Sequence, residues 1–183
     1  ALIDLGYDDT LDDYVLTANI SGVTNMSITG SSISDFTGLE AFTSLNNLTA
    51  FSNDLTSVDV SNNTQLTYLN FSDNDITSID ITNNTLLTTF EIAGNQLTSI
   101  DVSDNTSLTH LDVGSNQLND IDVSSLSNLS VLRIGGNQFT DIDVSSNTAL
   151  TYLRFENNNF TSVDLSNNTA LGLLKITSNQ LTG

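Results

Sequence analysis

The sequence predicts a repeat solenoid, α/β in type and mostly β. It should be a right-handed coil with a parallel sheet on its concave face and short extended segments on the convex side. Three observations predict it. One apolar pattern recurs every 21 residues through most of the chain. Within each copy some of those residues alternate with polar ones, the period of a strand with one buried face. An asparagine stands at one fixed place in seven of eight copies. A fixed period of this length marks turns that cannot bury their apolar faces alone and must stack.

Residues 1–22 are expected to form an N-terminal cap. Leu2, Ile3 and Leu5, then Leu11, Tyr14, Val15 and Leu16, suit two short helical turns laid over the first coil, with Gly6 ending the first. Residues 23–183 hold the array of eight copies, the last one truncated. The first copy (Val23, Met26, Ile28, Ser31, Ile33, Phe36) is 22 residues long and carries Ser31 where Asn is expected. The second has Leu45, Leu48, Ala50, Asn53 and Leu55, and the third Leu66, Leu69, Phe71, Asn74 and Ile76. Later copies begin at Leu87, Leu108, Leu129, Leu150 and Leu171 without insertion. The asparagines are expected to form an internal ladder, each amide satisfying buried backbone groups in the turn that leaves the strand. A second apolar pair closes each copy, as in Val58/Val60, Ile79/Ile81 and Ile100/Val102. Its alternation predicts a short extended segment, and a 21-residue copy leaves little room for a helix. The chain stops in mid-repeat at Gly183, so a longer parent chain is expected.

Charge narrows the functional classes. Twenty-two acidic against three basic residues give a formal net charge of −19. Such a surface repels nucleic acid and anionic lipid, so neither is an expected partner. No apolar run approaches the roughly 18 residues of a membrane span. The chain has no Cys, which removes disulfides, thiolate metal sites and cysteine nucleophiles. It has one His and no H-E-x-x-H, G-x-S-x-G or phosphate-loop motif. Glu91 and Asp112 fall on adjacent strands, but an open sheet surface would leave both hydrated and poorly tuned for acid–base work. A non-enzyme is expected. Ala1 opens directly on Leu2 and Ile3 with no signal-peptide pattern, as expected of a mature secreted fragment and equally of a cytosolic chain.

Segments such as LTSIDVSDNTSLTHLDVGSNQL and FTSVDLSNNTALGLLKITSNQL resemble the leucine-rich repeats of secreted surface proteins of Bacteroidetes, flavobacteria especially. The opening, residues 1–42, resembles the cap and first repeat of those proteins, and the 22-residue first copy is similar to the internalin type. The resemblance covers the whole chain. It implies export, a secreted or cell-surface location, and adhesion or ligand recognition.

The outward columns of the predicted sheet carry the candidate site. One reads Thr49, Asn70, Glu91, Asp112, Arg133, Arg154, Lys175 and holds every Lys and Arg of the chain. Strands sit about 4.8 Å apart, where like charges repel by about 1 kcal/mol per pair in water. Asp112 beside Arg133, and Glu156 two residues past Arg154, offer the offset of a surface salt ladder. The functional alternative is an anion-recognition strip, since guanidinium groups grip carboxylate or sulfate through paired hydrogen bonds. The neighbouring column supplies Tyr68, His110 and Tyr152, the tyrosines as exposed rings to stack on a sugar or anchor a protein. Ala93, Gly94, Gly114, Gly135 and Gly136 would leave the middle of the strip open. The expected ligand is extended, either an acidic polysaccharide or a protein. The alternative is a structural spacer or targeting domain of a larger surface protein.

Two further files bear on cofactors. Asp59, Asp80, Asp101, Asp122, Asp143 and Asp164 repeat on the convex side, and a carboxylate column invites Ca²⁺. Each stands alone in its copy, however, and suits a turn cap on the following S-x-N-T segment better. No cofactor is expected, with a calcium-stabilised solenoid as the alternative. Thr56, Thr77, Thr98, Thr140 and Thr161 form another file, as do Thr64, Thr85, Thr106, Thr148 and Thr169. Regular Thr arrays raise ice binding as a third reading beside ordinary turn chemistry and β-propensity.

Overall fold

The 21-residue period becomes one strand per turn. The computed structural model describes residues 20–182. Its strands are β1 (Asn25–Ser27), β2 (Asn47–Thr49), β3 (Tyr68–Asn70), β4 (Thr89–Glu91), β5 (His110–Asp112), β6 (Val131–Arg133), β7 (Tyr152–Arg154) and β8 (Leu173–Lys175). They form one eight-stranded sheet in sequence order. Every pair is parallel with unbroken register, so Leu69 faces Phe90 and Leu111 faces Leu132. The expected solenoid is the observed fold. One short 3-10 turn, Leu39–Ala41, precedes β2. The predicted helical turns of the cap, Leu2 to Leu16, lie outside the described residues.

Each strand is three residues long because only its middle residue points inward. Leu48, Leu69, Phe90, Leu111, Leu132 and Leu153 are fully buried. The residues that open each copy and those after the strand join them, including Leu66, Leu87, Phe71, Ile92 and Phe155. Full burial of such side chains is worth about 1.5–3 kcal/mol each, and each turn needs its neighbours to provide it. The second apolar pair also faces this core, with Val60, Ile81, Val102 and Val144 at most 1% exposed. These convex segments join no second sheet among the described residues.

The strand-exit asparagines stitch adjacent turns. Asn74 Oδ1 accepts the Leu55 N–H at 3.1 Å, while its Nδ2 donates to Ala50 O at 3.0 Å and Phe71 O at 2.9 Å. Asn95, Asn116, Asn137 and Asn158 repeat the pattern. A second file, not anticipated from the sequence, runs through Asn63, Asn84, Asn105, Asn147 and Asn168. Each Nδ2 donates to two backbone oxygens, as Asn105 does to Ile81 O and Asn84 O, both at 3.0 Å. Leu126 interrupts this file, fully buried in the place of an asparagine.

Candidate functional site

The register that buries the leucines also aligns the polar residues on either side of them. Asp112 pairs with Arg133, Arg133 with Arg154, and Arg154 with Lys175 across β5 to β8. Tyr68, Thr89, His110, Val131 and Tyr152 form the parallel file. All three cations of the chain therefore stand on adjacent strands, on the face opposite the core.

Two of them already meet carboxylates. Arg133 Nη1 lies 3.2 Å from Asp112 Oδ2, and Arg133 also lies over the Tyr152 ring at 5.3 Å from its centroid. Arg154 donates through Nε at 2.8 Å, and through Nη2, to Glu156 Oε1. These half-exposed pairs are worth at most about 1 kcal/mol each. Burial opposes the charge of Glu156, but its bonds to Arg154 and its own backbone N–H, with the charges of Arg154 and Lys175, hold it below the ordinary Glu value. The same bonds raise Arg154, with burial opposing. Lys175 is exposed and makes no ion pair among the described residues.

The tyrosines differ from the expectation of exposed rings. Both are half-buried. Tyr68 turns along the face so that its hydroxyl donates to Glu91 Oε2 at 3.0 Å, and Asn70 Nδ2 donates to the same oxygen at 2.6 Å. Burial first, and the Glu91 charge behind it, raise the Tyr68 hydroxyl. Tyr152 is covered on one face by Arg133. His110 Nε2 lies 3.5 Å from Glu91 Oε1 and makes no hydrogen bond. Burial, then the Arg133 charge, push His110 below its ordinary value, and Glu91 and Asp112 offset this only in part.

Between these groups lies a concavity of about 220 Å³. Asp112, Arg133, Arg154 and Glu156 wall it, and Ala93, Gly114, Gly135 and Gly136 lie along it. Gly114 and Gly135 sit where a side chain would meet its neighbours closely. A Cβ on Gly135 would fall 3.0 Å from Glu156 Cδ, and one on Gly114 would fall 3.2 Å from Gly135 O. Gly94, expected in the opening, does not line it. Phe51, 40% exposed, was missed from the sequence; it shares the file of Ser72, Ala93, Gly114 and Gly135 and stands outside the concavity. Its neighbour Ala50 takes the buried place after the strand, and that phase was the available signal.

The convex Asp file caps turns. Asp59, Asp101, Asp122, Asp143 and Asp164 each accept a Ser N–H two residues on, at 2.9 Å, and Asp80 accepts that of Thr82 at 2.9 Å. No group of three or more His, Asp or Glu suited to a metal converges among the described residues.

A parallel-sheet coil with an asparagine ladder and an open polar concave face defines a leucine-rich-repeat solenoid. Leucine-rich-repeat family models match residues 106–147 and 62–81. The fold is similar to the functional domain of InlJ of Listeria monocytogenes, at 36% identity over 92% of this chain and 42% of that one, with TM-score 0.80. It is similar also to the internalin InlF of Listeria monocytogenes, at 27% identity over 90% of this chain and 51% of that one, with TM-score 0.84. A leucine-rich-repeat protein of Leptospira interrogans shares the fold alone, at 22% identity over 90% of this chain and 45% of that one, with TM-score 0.85. The chain spans about half the length of these structures, or less. The InlJ domain is described as including a cysteine ladder, and this chain has no Cys. No curated protein matches the sequence.

Proposed function

We propose that the concave face is a non-catalytic protein-recognition surface of a secreted or cell-surface protein, of the kind the likeness to internalins and to Bacteroidetes surface repeats suggests. The observation that carries the reading is the file Arg133, Arg154, Lys175 in strand register on an open sheet face, beside Tyr152. In a chain of net charge −19 these are its only Lys and Arg residues, which makes the file the natural docking point for a partner's acidic groups. Tyr68, Tyr152 and the exposed Phe51 add the aromatic surface that anchors protein partners.

An acidic polysaccharide is the less supported ligand. A polyanion draws on many uncompensated cations, and two of the three here are matched by Asp112 and Glu156. The same pairing is what favours a spacer, whose charges serve only solubility. Surface plasmon resonance against a panel of extracellular proteins and polyuronates separates these readings. A protein ligand should bind, and the triple variant R133A/R154A/K175A should lose at least about tenfold in affinity, the equivalent of about 1.4 kcal/mol. Binding unchanged in that variant ends the assignment. Polyuronate binding alone replaces the ligand class, and no binding at all leaves the spacer.

A further inference from the structure

Resting on that recognition role, we infer that the Gly135 N–H, between Arg133 and Arg154, is a subsite for an Asp or Glu carboxylate of a polypeptide partner.

The solenoid contains its own precedent one turn earlier. Asp112 Oδ1 accepts the Gly114 N–H at 3.0 Å while its Oδ2 meets Arg133 Nη1 at 3.2 Å. Two turns before that, Asn70 Oδ1 accepts the equivalent Ser72 N–H at 2.9 Å. Translation by one repeat carries Gly114 onto Gly135 and Arg133 onto Arg154. The backbone donor and the guanidinium recur, but the carboxylate does not, because residue 133 is Arg and has no acceptor. The Gly135 N–H consequently makes no hydrogen bond among the described residues. Gly135 is half-exposed and lines the 220 Å³ concavity, so the position of the missing carboxylate opens to solvent.

Electrostatics select this turn. The Ala93 N–H is likewise unbonded, but Glu91 and Asp112 flank it and repel an anion. Beside the Gly135 turn Arg133 and Arg154 stand with Asp112 and Glu156, and Lys175 two strands on matches Glu91 two strands back, so this stretch is close to neutral in an otherwise acidic chain. Glu156 packs against Gly135, its Cδ 3.0 Å from where a Cβ there would stand, and holds Arg154, which makes the subsite selective: a ligand must displace this carboxylate and bring an acceptor to the Gly135 N–H as well as charge. A carboxylate on a short side chain does both, as Asp112 does. Tyr152, on the adjacent strand, offers an aromatic anchor to a polypeptide carrier.

Amide spectra of ¹⁵N-labelled protein test the subsite directly. The probes are Ac-Gly-Asp-Gly-NH₂, its Asn counterpart and sodium glucuronate, each at constant ionic strength. The Asp peptide should shift the Gly135 amide saturably and leave the internally capped Gly114 amide in place, while the Asn peptide shifts neither amide. R154Q should weaken the response about tenfold. R133D restores the internal carboxylate. Its Gly135 amide should move toward the Gly114 position without ligand and cease to respond, with unaltered spectra elsewhere reporting an intact fold. A silent Gly135 amide, equal shifts at Gly114, or a full response in R133D overturns the subsite. Saturation by glucuronate alone overturns the polypeptide carrier. If a protein ligand loses affinity in R133A/R154A/K175A while Gly135 stays silent toward the Asp peptide, the recognition face stands and the subsite falls.

Discussion

At the scale of single residues, the second asparagine file separates hydrogen bonding from packing. Asn105 donates to two buried carbonyls, yet its Oδ1 is buried and has no partner. An unpaired buried acceptor costs about 1–3 kcal/mol, which offsets much of what the two donated bonds return. At the equivalent position Leu126 fills the space with no polar atom and is fully buried. Asn105→Ala removes the bonds and leaves a void, and should cost about 2–3 kcal/mol. Asn105→Leu also removes the orphaned oxygen and fills the space, and should cost less than about 1 kcal/mol. Urea denaturation of both variants checks the order. A leucine variant as unstable as the alanine one would mean that the donated bonds, and not the filling, hold this column.

At the scale of the element, the convex turn is set by its aspartates. Hydrogen bonds from the side chain and backbone of Ser61 hold Asp59 below the ordinary Asp value, and Thr82 and Ser103 do the same for Asp80 and Asp101. The folded values lie below the unfolded one. The stabilisation is therefore complete above about pH 4 and is lost as pH falls through the folded values. Asp80→Asn with Asp101→Asn keeps the turn acceptor and removes the titration. Thermal melts of this double variant should show a shallower loss of stability below pH 4 than the wild type, with curves converging at the lowest pH. Parallel curves would assign the caps no part in acid unfolding. These caps, the strands and the strand-exit ladder were legible in the sequence because each follows from one residue type at one phase. The second ladder was not: its asparagines sit in S-x-N-T segments that look like ordinary turn composition, and only the coordinates turn Asn63 or Asn84 inward. The candidate face was half legible. Register alone predicted that Arg133, Arg154 and Lys175 align. That Tyr68 lies down on Glu91, that Arg133 covers Tyr152, and that the Gly135 N–H is bare depend on side-chain direction and on which turn lacks an internal acceptor.

At the scale of the whole molecule, cohesion is a sum over neighbouring turns, so stability should fall toward an uncovered turn. In β8 all three residues are exposed, and Leu174 is 41% exposed where Leu153 in β7 is fully buried. Opening this turn forfeits one interface, whereas opening β6 forfeits two. Backbone bonds of matched length report the difference: the Leu173 N–H meets Thr151 O at 3.1 Å, and the Val131 N–H meets Thr109 O at 3.0 Å. In the 183-residue chain the Leu173 amide should exchange with solvent deuterium on the order of 100-fold faster than the Val131 amide. Equal rates would show that the array opens as one cooperative unit.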